Sequence, residues 1–162
     1  MMELTTLQQR FGAVSEHLFR GQRTIVIPSS SVATALAFLR SDGGFDMLAD
    51  MTAVDYLDYP EATDRFGVVY LLANTATGER LTIKTFVNPP EPKLTSAYSL
   101  WRGSDWLERE VYDMFGIVFE GHPDLRRILM PDEFVAYPLR KDYPLKGRGE
   151  RHNFPVITRA ES

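Results

Sequence analysis

The densest set of reactive side chains lies between positions 108 and 124. Glu108, Arg109 and Glu110 stand in a row, Asp113 follows a helical turn later, and His122-Pro123-Asp124 closes the set. Two chemistries use these residue types. Carboxylates beside an imidazole make a proton-transfer set, with Glu108, Glu110 and His122 in the roles. Asp113, His122 and Asp124 offer oxygen and nitrogen donors to a metal ion. Neither pattern is complete. The chain has three histidines, His17, His122 and His152, and no two are four apart. An independent active site joins a nucleophile, an orienting group and a pocket, and no Ser elbow, phosphate-cradling glycine loop or GxGxxG accompanies the set. The plainer reading is structural: Arg109 pairs with Asp113 across one turn of helix, and Glu108 and Glu110 favour the positive end of that helix.

Composition narrows the classes further. The chain of 162 residues has no cysteine, which excludes disulfides, thiolate zinc sites, cysteine-ligated iron–sulfur clusters and cysteine nucleophiles. Its net charge of −4 is unevenly spread: residues 1–121 carry 10 basic and 16 acidic side chains, and residues 122–162 carry 8 and 6. Arg140, Lys141, Lys146, Arg148 and Arg151 are too dispersed to form the concentrated basic face that nucleic acid requires. Apolar runs fall far short of the ~20 residues that span a bilayer, and Met1–Arg20 lacks the layout of a signal peptide. The expectation is a chain that meets a membrane only through partners.

The elements that must position these residues are legible from periodicity. Leu4, Leu7, Phe11, Val14 and Leu18 predict one helix ending near Gly21. Thr24–Ile27 reads as a short strand, and Ser29, Ser30 and Ser31 offer caps for a helix with Val32, Ala35, Leu36 and Leu39 on one side. The run Phe45–Tyr56 is an irregular strand. Phe66–Ala73 and Leu81–Val87 alternate cleanly and are joined by Asn74–Gly78, which predicts an antiparallel hairpin. Asn88-Pro89-Pro90-Glu91-Pro92 ends the sheet. A helix follows, with Asp105 as cap and Glu108 in capping-box register, Leu107, Val111, Met114 and Phe115 inward, and Gly116 as terminator. Ile117–Phe119 is a last short strand. This order predicts an α+β fold: a two-layer domain with a mixed or antiparallel sheet and helices on one face.

Past Met130 the pattern changes. Four of the ten prolines (Pro131, Pro138, Pro144, Pro155) fall in the last 32 residues, yet Phe134, Tyr137, Leu139, Tyr143, Leu145, Phe154, Val156 and Ile157 are retained. A freely solvated tail is poor in such residues. The expected organisation is an α+β body over 1–130 and an extended, adhesive tail over 131–162 that docks on a partner. Residues 136–162 reach up to ~90 Å if extended. Arg126 and Arg127 sit among Leu125, Ile128, Leu129 and Met130, which suits guanidinium–carboxylate pairing against an apolar surface.

Residues 105–144, DWLEREVYDMFGIVFEGHPDLRRILMPDEFVAYPLRKDYP, closely resemble the C subunit of the proton-pumping NADH–quinone oxidoreductase, respiratory complex I. The family signature is Glu-Arg-Glu, two residues, an acid, two apolar residues, six residues, His, three residues, a basic residue, one residue and two apolar residues. It falls on Glu108, Arg109, Glu110, Asp113, Met114, Phe115, His122, Arg126, Ile128 and Leu129 with every spacing kept. Pro138-Leu139-Arg140-Lys141-Asp142-Tyr143-Pro144 matches the family's tail. The resemblance implies a scaffold subunit with no catalytic, cofactor or metal residue of its own. The complex around it passes electrons from NADH through FMN and iron–sulfur clusters to quinone and couples this to proton translocation. It further implies a place in the hydrophilic arm, peripheral on the cytoplasmic side of the inner membrane, with the D subunit and its iron–sulfur neighbours as partners. The chain's length implies a separate subunit rather than a fusion of the C and D subunits. Related photosynthetic complexes and membrane-bound hydrogenases carry equivalent subunits, and a free-standing acid–base enzyme is the reading from another class. Glu108, Arg109, Glu110 and Asp113 are expected to organise the helix end and the tail root, with His122, Arg126 and Arg127 at or near the partner surface and Arg140, Lys141, Asp142 and Tyr143 in the tail signature. Truncation after Met130 is expected to leave a folded body that does not assemble.

Overall fold

The computed structural model describes residues 4–12 and 14–149. Ten elements follow in chain order: α1 (Leu4–Phe11), β1 (Ser15–Phe19), β2 (Gln22–Val26), α2 (Ser29–Ser41), β3 (Met47–Asp55), β4 (Phe66–Ala73), β5 (Arg80–Val87), β6 (Lys93–Thr95), α3 (Ser104–Phe115) and β7 (Val118–Glu120). The main sheet has five strands in the order β1-β2-β5-β4-β3. All its pairings are antiparallel except β2 with β5, so the sheet is mixed. Parallel β6 and β7 form a second small sheet. The α+β reading holds.

Period-2 alternation decides which face of the sheet is dry. Phe66, Val68, Tyr70 and Leu72 of β4, and Leu81, Ile83, Thr85 and Val87 of β5, are buried. Ile25 joins them from β2, and Met51, Ala53 and Asp55 from β3. Helix α2 packs on β5 and α3 on β3. Val32, Ala35, Leu36 and Leu39 form the inward side of α2, as their spacing predicts. The hairpin β4–β5 is in the expected register, and its turn is closed by Asn74, whose side-chain oxygen accepts the N–H groups of Ala76 and Thr77.

Three local expectations are corrected. The first helix stops at Phe11, because Gly12 takes the left-handed conformation (φ 84°) and its N–H returns to the Gln8 carbonyl. Leu18, assigned by spacing to the helical stripe, lies instead on β1 and is 72% exposed. The β1–β2 hairpin turns through Arg20 and Gly21, both at positive φ, which is the type I′ geometry that matches strand twist. The serines do not cap α2: Pro28 occupies the N-cap and makes no side-chain cap bond, since Ser29 is already helical. The capping box of α3 is likewise absent. The N-cap is Gly103, and the Glu108 carboxylate is drawn away to another loop.

Gly116 ends α3 as expected, at φ 73°, with its N–H bonded to the Tyr112 carbonyl. It is required twice over. A Cβ placed there would lie 2.6 Å from the Arg140 guanidinium and from the Tyr137 ring. Gly116→Ala should therefore cost about 2–4 kcal/mol, the left-handed penalty plus overpacking. Urea denaturation of the purified chain measures it, and a loss below that of an ordinary surface glycine would show that the tail root does not pack there.

Candidate functional site

The signature residues converge on the two ends of α3, and each buried acid there captures a different stretch of backbone. Asp113 is fully buried. Its Oδ1 accepts the Arg127 guanidinium at 2.6 Å, and its Oδ2 accepts three successive N–H groups, of Ile128 at 3.0 Å, Leu129 at 2.7 Å and Met130 at 2.8 Å. Burial pushes this carboxyl's pKa upward. The Met130 N–H, Arg127 and the Leu129 and Ile128 N–H groups together outweigh burial and hold it below the ordinary range. The predicted Arg109–Asp113 surface pair is corrected accordingly. Arg109 instead donates to the carbonyls of Arg126 and Arg127, each at 3.2 Å, and lies over the Trp106 ring. Residues 126–130 are thus gripped at their carbonyls by Arg109 and at their N–H groups by Asp113.

Glu108, also fully buried, faces the opposite way. It accepts the Ser96 hydroxyl and the Ala97 N–H, both at 2.6 Å, and so pins the loop between β6 and α3. Burial dominates here, and its pKa is raised despite these bonds. The His122 side chain is enclosed as well: Nε2 faces the Asp105 carbonyl at 3.2 Å and Nδ1 accepts the Asp124 N–H at 3.0 Å. Glu110 is exposed, so the proposed proton-transfer trio is not brought together on one surface. Arg126 is exposed and pairs with Asp124 at 2.9 Å. Among the described residues, no group of three or more His, Asp or Glu side chains is placed to hold a metal ion.

Residues 131–143 lie against the body. Arg127 donates to the Ala136 carbonyl and stands near the faces of Phe134 and Tyr137. The Leu139 N–H bonds to the Met114 carbonyl, and Arg140 Nε to the Phe115 carbonyl at 2.6 Å. The Arg140 guanidinium lies over Tyr137 and Phe66, and burial followed by the neighbouring Arg65 lowers its pKa. Phe134 is buried and meets Tyr143 edge-on. Of the residues expected to be adhesive, Phe134, Tyr137 and Tyr143 make contacts inside the chain, Leu139 and Leu145 turn outward, as does Val135 beside them, and Phe154, Val156 and Ile157 lie outside the described residues.

Sequence reasoning missed the third captured loop. Asp55, its side chain fully buried, accepts Arg65 at 3.1 Å, the Leu57 N–H at 3.0 Å and the Lys141 N–H at 2.9 Å. Burial pushes its pKa up, but Arg65 and the Lys141 and Leu57 N–H groups prevail and it is lowered. Arg65 also pairs with Asp142 at 2.8 Å. A signal was present: Asp55 continues the inward series Met51, Ala53 of β3, where a carboxylate must find partners.

Such a site defines a class of protein before it defines a family: an α+β domain in which Glu108, Arg109, Asp113 and Arg127 hold the chain's own loops and tail root, with Glu110 and Arg126 left on the surface. The family model described as the respiratory-chain NADH dehydrogenase 30 kDa subunit matches residues 25–149. The chain is 47% identical over 130 residues to the NADH-quinone oxidoreductase C subunit of Trichlorobacter lovleyi, covering 80% of this chain and 79% of that protein. It is 42% identical over 145 residues to the C subunit of Geobacter metallireducens, covering 88% of each. Among solved structures, a trypsin-resistant fragment of Nqo5 superposes with a TM-score of 0.68 at 36% identity, covering 76% of this chain and all of the fragment. A chain from an archaeal membrane-bound sulfane sulfur reductase shares the fold alone, at a TM-score of 0.73 and 21% identity over 96% of this chain and 91% of its own. The chain belongs to the 30 kDa subunit family of respiratory-chain NADH dehydrogenase.

Two predictions test the site. Asp113→Asn removes the charge facing Arg127 and one acceptor of a gathered loop, and should cost about 3–5 kcal/mol, as breaking a buried pair does; chemical denaturation reads it. The acids also differ in sign. Asp113 and Asp55 contribute fully above the ordinary aspartate value of 3.8, and that contribution is lost as pH falls through their lowered folded values. Glu108 binds its proton more tightly folded than unfolded, so its contribution is present below the ordinary 4.5 and is lost as pH rises through the raised value. Glu108→Gln should remove that loss, its stability relative to wild type improving as pH rises above the ordinary glutamate value of 4.5. Superimposable pH profiles for the two proteins would refute the assignment.

Proposed function

We propose that the chain is a scaffold subunit of NADH–quinone oxidoreductase. It braces the hydrophilic arm while other subunits carry NADH oxidation, FMN, the iron–sulfur clusters and quinone reduction coupled to proton translocation. One observation carries this reading: Glu108, Arg109, Asp113, His122 and Arg127 have their polar atoms engaged by backbone and side chains of their own chain, which is the work of a shaping element. No cofactor is assigned to the chain. Its partners are other subunits of the complex, chiefly the D subunit and the iron–sulfur subunits near it. Its location is peripheral, on the cytoplasmic side of the inner membrane. Among the described residues no helix is long and apolar enough to cross a membrane, and in this reading contact with the bilayer runs through those partners.

Within this reading the tail has two parts. Residues 131–143 complete the chain's own fold, and the stretch beyond them, beginning with the fully exposed Leu145, is the arm offered to a partner. The useful cut therefore lies after Tyr143 and not after Met130. A chain ending at Met130 strips Arg127 and Asp55 of partners and removes Arg140 from its aromatic seat, and it should unfold at markedly lower urea. A chain ending at Tyr143 should keep the wild-type midpoint and lose co-purification with the other subunits. Full recovery of the complex with the chain ending at Tyr143 would end the bracing-arm reading.

A further inference from the structure

The side of the sheet that faces away from the helices carries a built cation. Outward residues of β2, β3, β4 and β5 line up in rungs, three of them lying inside an end rung of Arg80, Ala73 and Met47. Thr24, Thr82, Leu71 and Asp50 form the first. Val26, Lys84, Val69 and Thr52 form the second, and Phe86, Gly67 and Val54 the third. The face is apolar and threonine-rich, Leu71 and Val54 being 38% and 39% exposed, and Lys84 stands at its centre. The ammonium group lies 4.4 Å from the centroid of Tyr56 and 4.7 Å from that of Phe86. It bonds to the Tyr56 hydroxyl at 2.6 Å. Gly67 makes room for this nest: a Cβ there would fall 2.8 Å from Tyr56, 3.0 Å from the Lys84 stem and 3.3 Å from Phe86. No carboxylate of the described residues is within ion-pair distance of Lys84, although the chain carries 22 acids. Asp64, in the cleft beside Tyr56 and Phe86, is engaged by Asn88 and Thr63.

We propose that this face is a protein–protein interface whose occupant is an apolar surface of another subunit, with one Asp or Glu carboxylate seated on Lys84. The charge argument selects the occupant. A lysine set between two rings on an apolar face gains an anionic partner when that face is covered, and is costly to cover without one. An anionic lipid surface or a nucleic acid calls for several basic groups together, whereas the centre of this face has one, Arg80 standing apart at its end and Asp50 at its edge. The inference rests on assembly into a multisubunit enzyme and is independent of the role given to the tail.

The test uses the affinity-tagged full chain, free and within its complex. Co-purifying subunits report assembly, and acetylation of lysines by an N-hydroxysuccinimide ester, read by mass spectrometry, then reports Lys84. Within the complex Lys84 should acetylate about tenfold more slowly than in the free chain, as for a desolvated interface core. A carbodiimide should join it to a carboxylate of a different polypeptide. Equal acetylation rates in the two forms would overturn the proposal while leaving assembly intact. So would coupling of Lys84 to Glu150 or Glu161 of its own chain, or protection of the free chain by phosphatidylserine vesicles. A chain that recovers no other subunit removes both readings.

Discussion

The structure depends on carboxylates that have been taken out of water and must be satisfied there. Asp113, Glu108 and Asp55 are all buried, and each is met mainly by donors from segments outside helix and sheet. An ionised carboxylate offers about four acceptor positions. Asp113 fills its own with one guanidinium and three consecutive N–H groups, and this fixes the path of a loop that no ladder of hydrogen bonds could fix. Burial alone would favour the neutral acid. The outcome differs among the three because burial and donor charge differ: each aspartate meets a guanidinium as well as backbone N–H groups and is held ionised, whereas Glu108, more deeply buried and without a guanidinium, shifts the other way.

This arrangement explains why the acids and bases of one short helix can matter without doing chemistry on a substrate. Helix α3 sends Glu108 toward the loop after β6 and Asp113 toward residues 128–130, while Arg109 takes the carbonyls of the same loop that Asp113 takes by its N–H groups. Arg127 then passes the hold onward to Ala136, and Arg140 and Lys141 close the chain back on α3 and β3. Residues 131–143 of the proline-rich stretch are held by side chains and carbonyls of the body, which replace the regular backbone pairing that proline denies them.

Regular elements were legible in the sequence because their periods are local. The β4–β5 hairpin, the inward side of α2 and the left-handed Gly116 all follow from residues within a few positions of one another. Spacing overextends the first helix because Val14 and Leu18 keep a helical interval by coincidence, and the signal against it, Gly12 with a two-residue Arg20-Gly21 turn, is weaker than the apolar stripe. Caps failed for another reason: the Glu108 carboxylate has a better offer across 11 positions of chain than the N-terminus of its own helix. The candidate site was legible as a list of residues and illegible as a set of pairs. Arg109 with Asp113 is the pairing that spacing suggests, and Arg127 with Asp113, 14 positions apart, is the one that forms. Asp55 and Arg65 are invisible to local reading because their tail partners are remote in sequence: the Lys141 N–H on Asp55, 86 positions away, and Asp142 on Arg65.

The two faces of the sheet now have different physical tasks. On the inner side, Asp55, Glu108 and Asp113 are answered within the chain, which makes that side a finished product. On the outer side, Lys84 has aromatic walls and a hydroxyl but no counter-charge among the described residues. A fold that answers three interior carboxylates so fully, yet keeps a glycine in β4 to seat a lysine outward, is not short of ways to neutralise charge. The asymmetry is intelligible if the missing anion belongs to another molecule, since a carboxylate supplied from within would leave the covering surface with nothing to recognise.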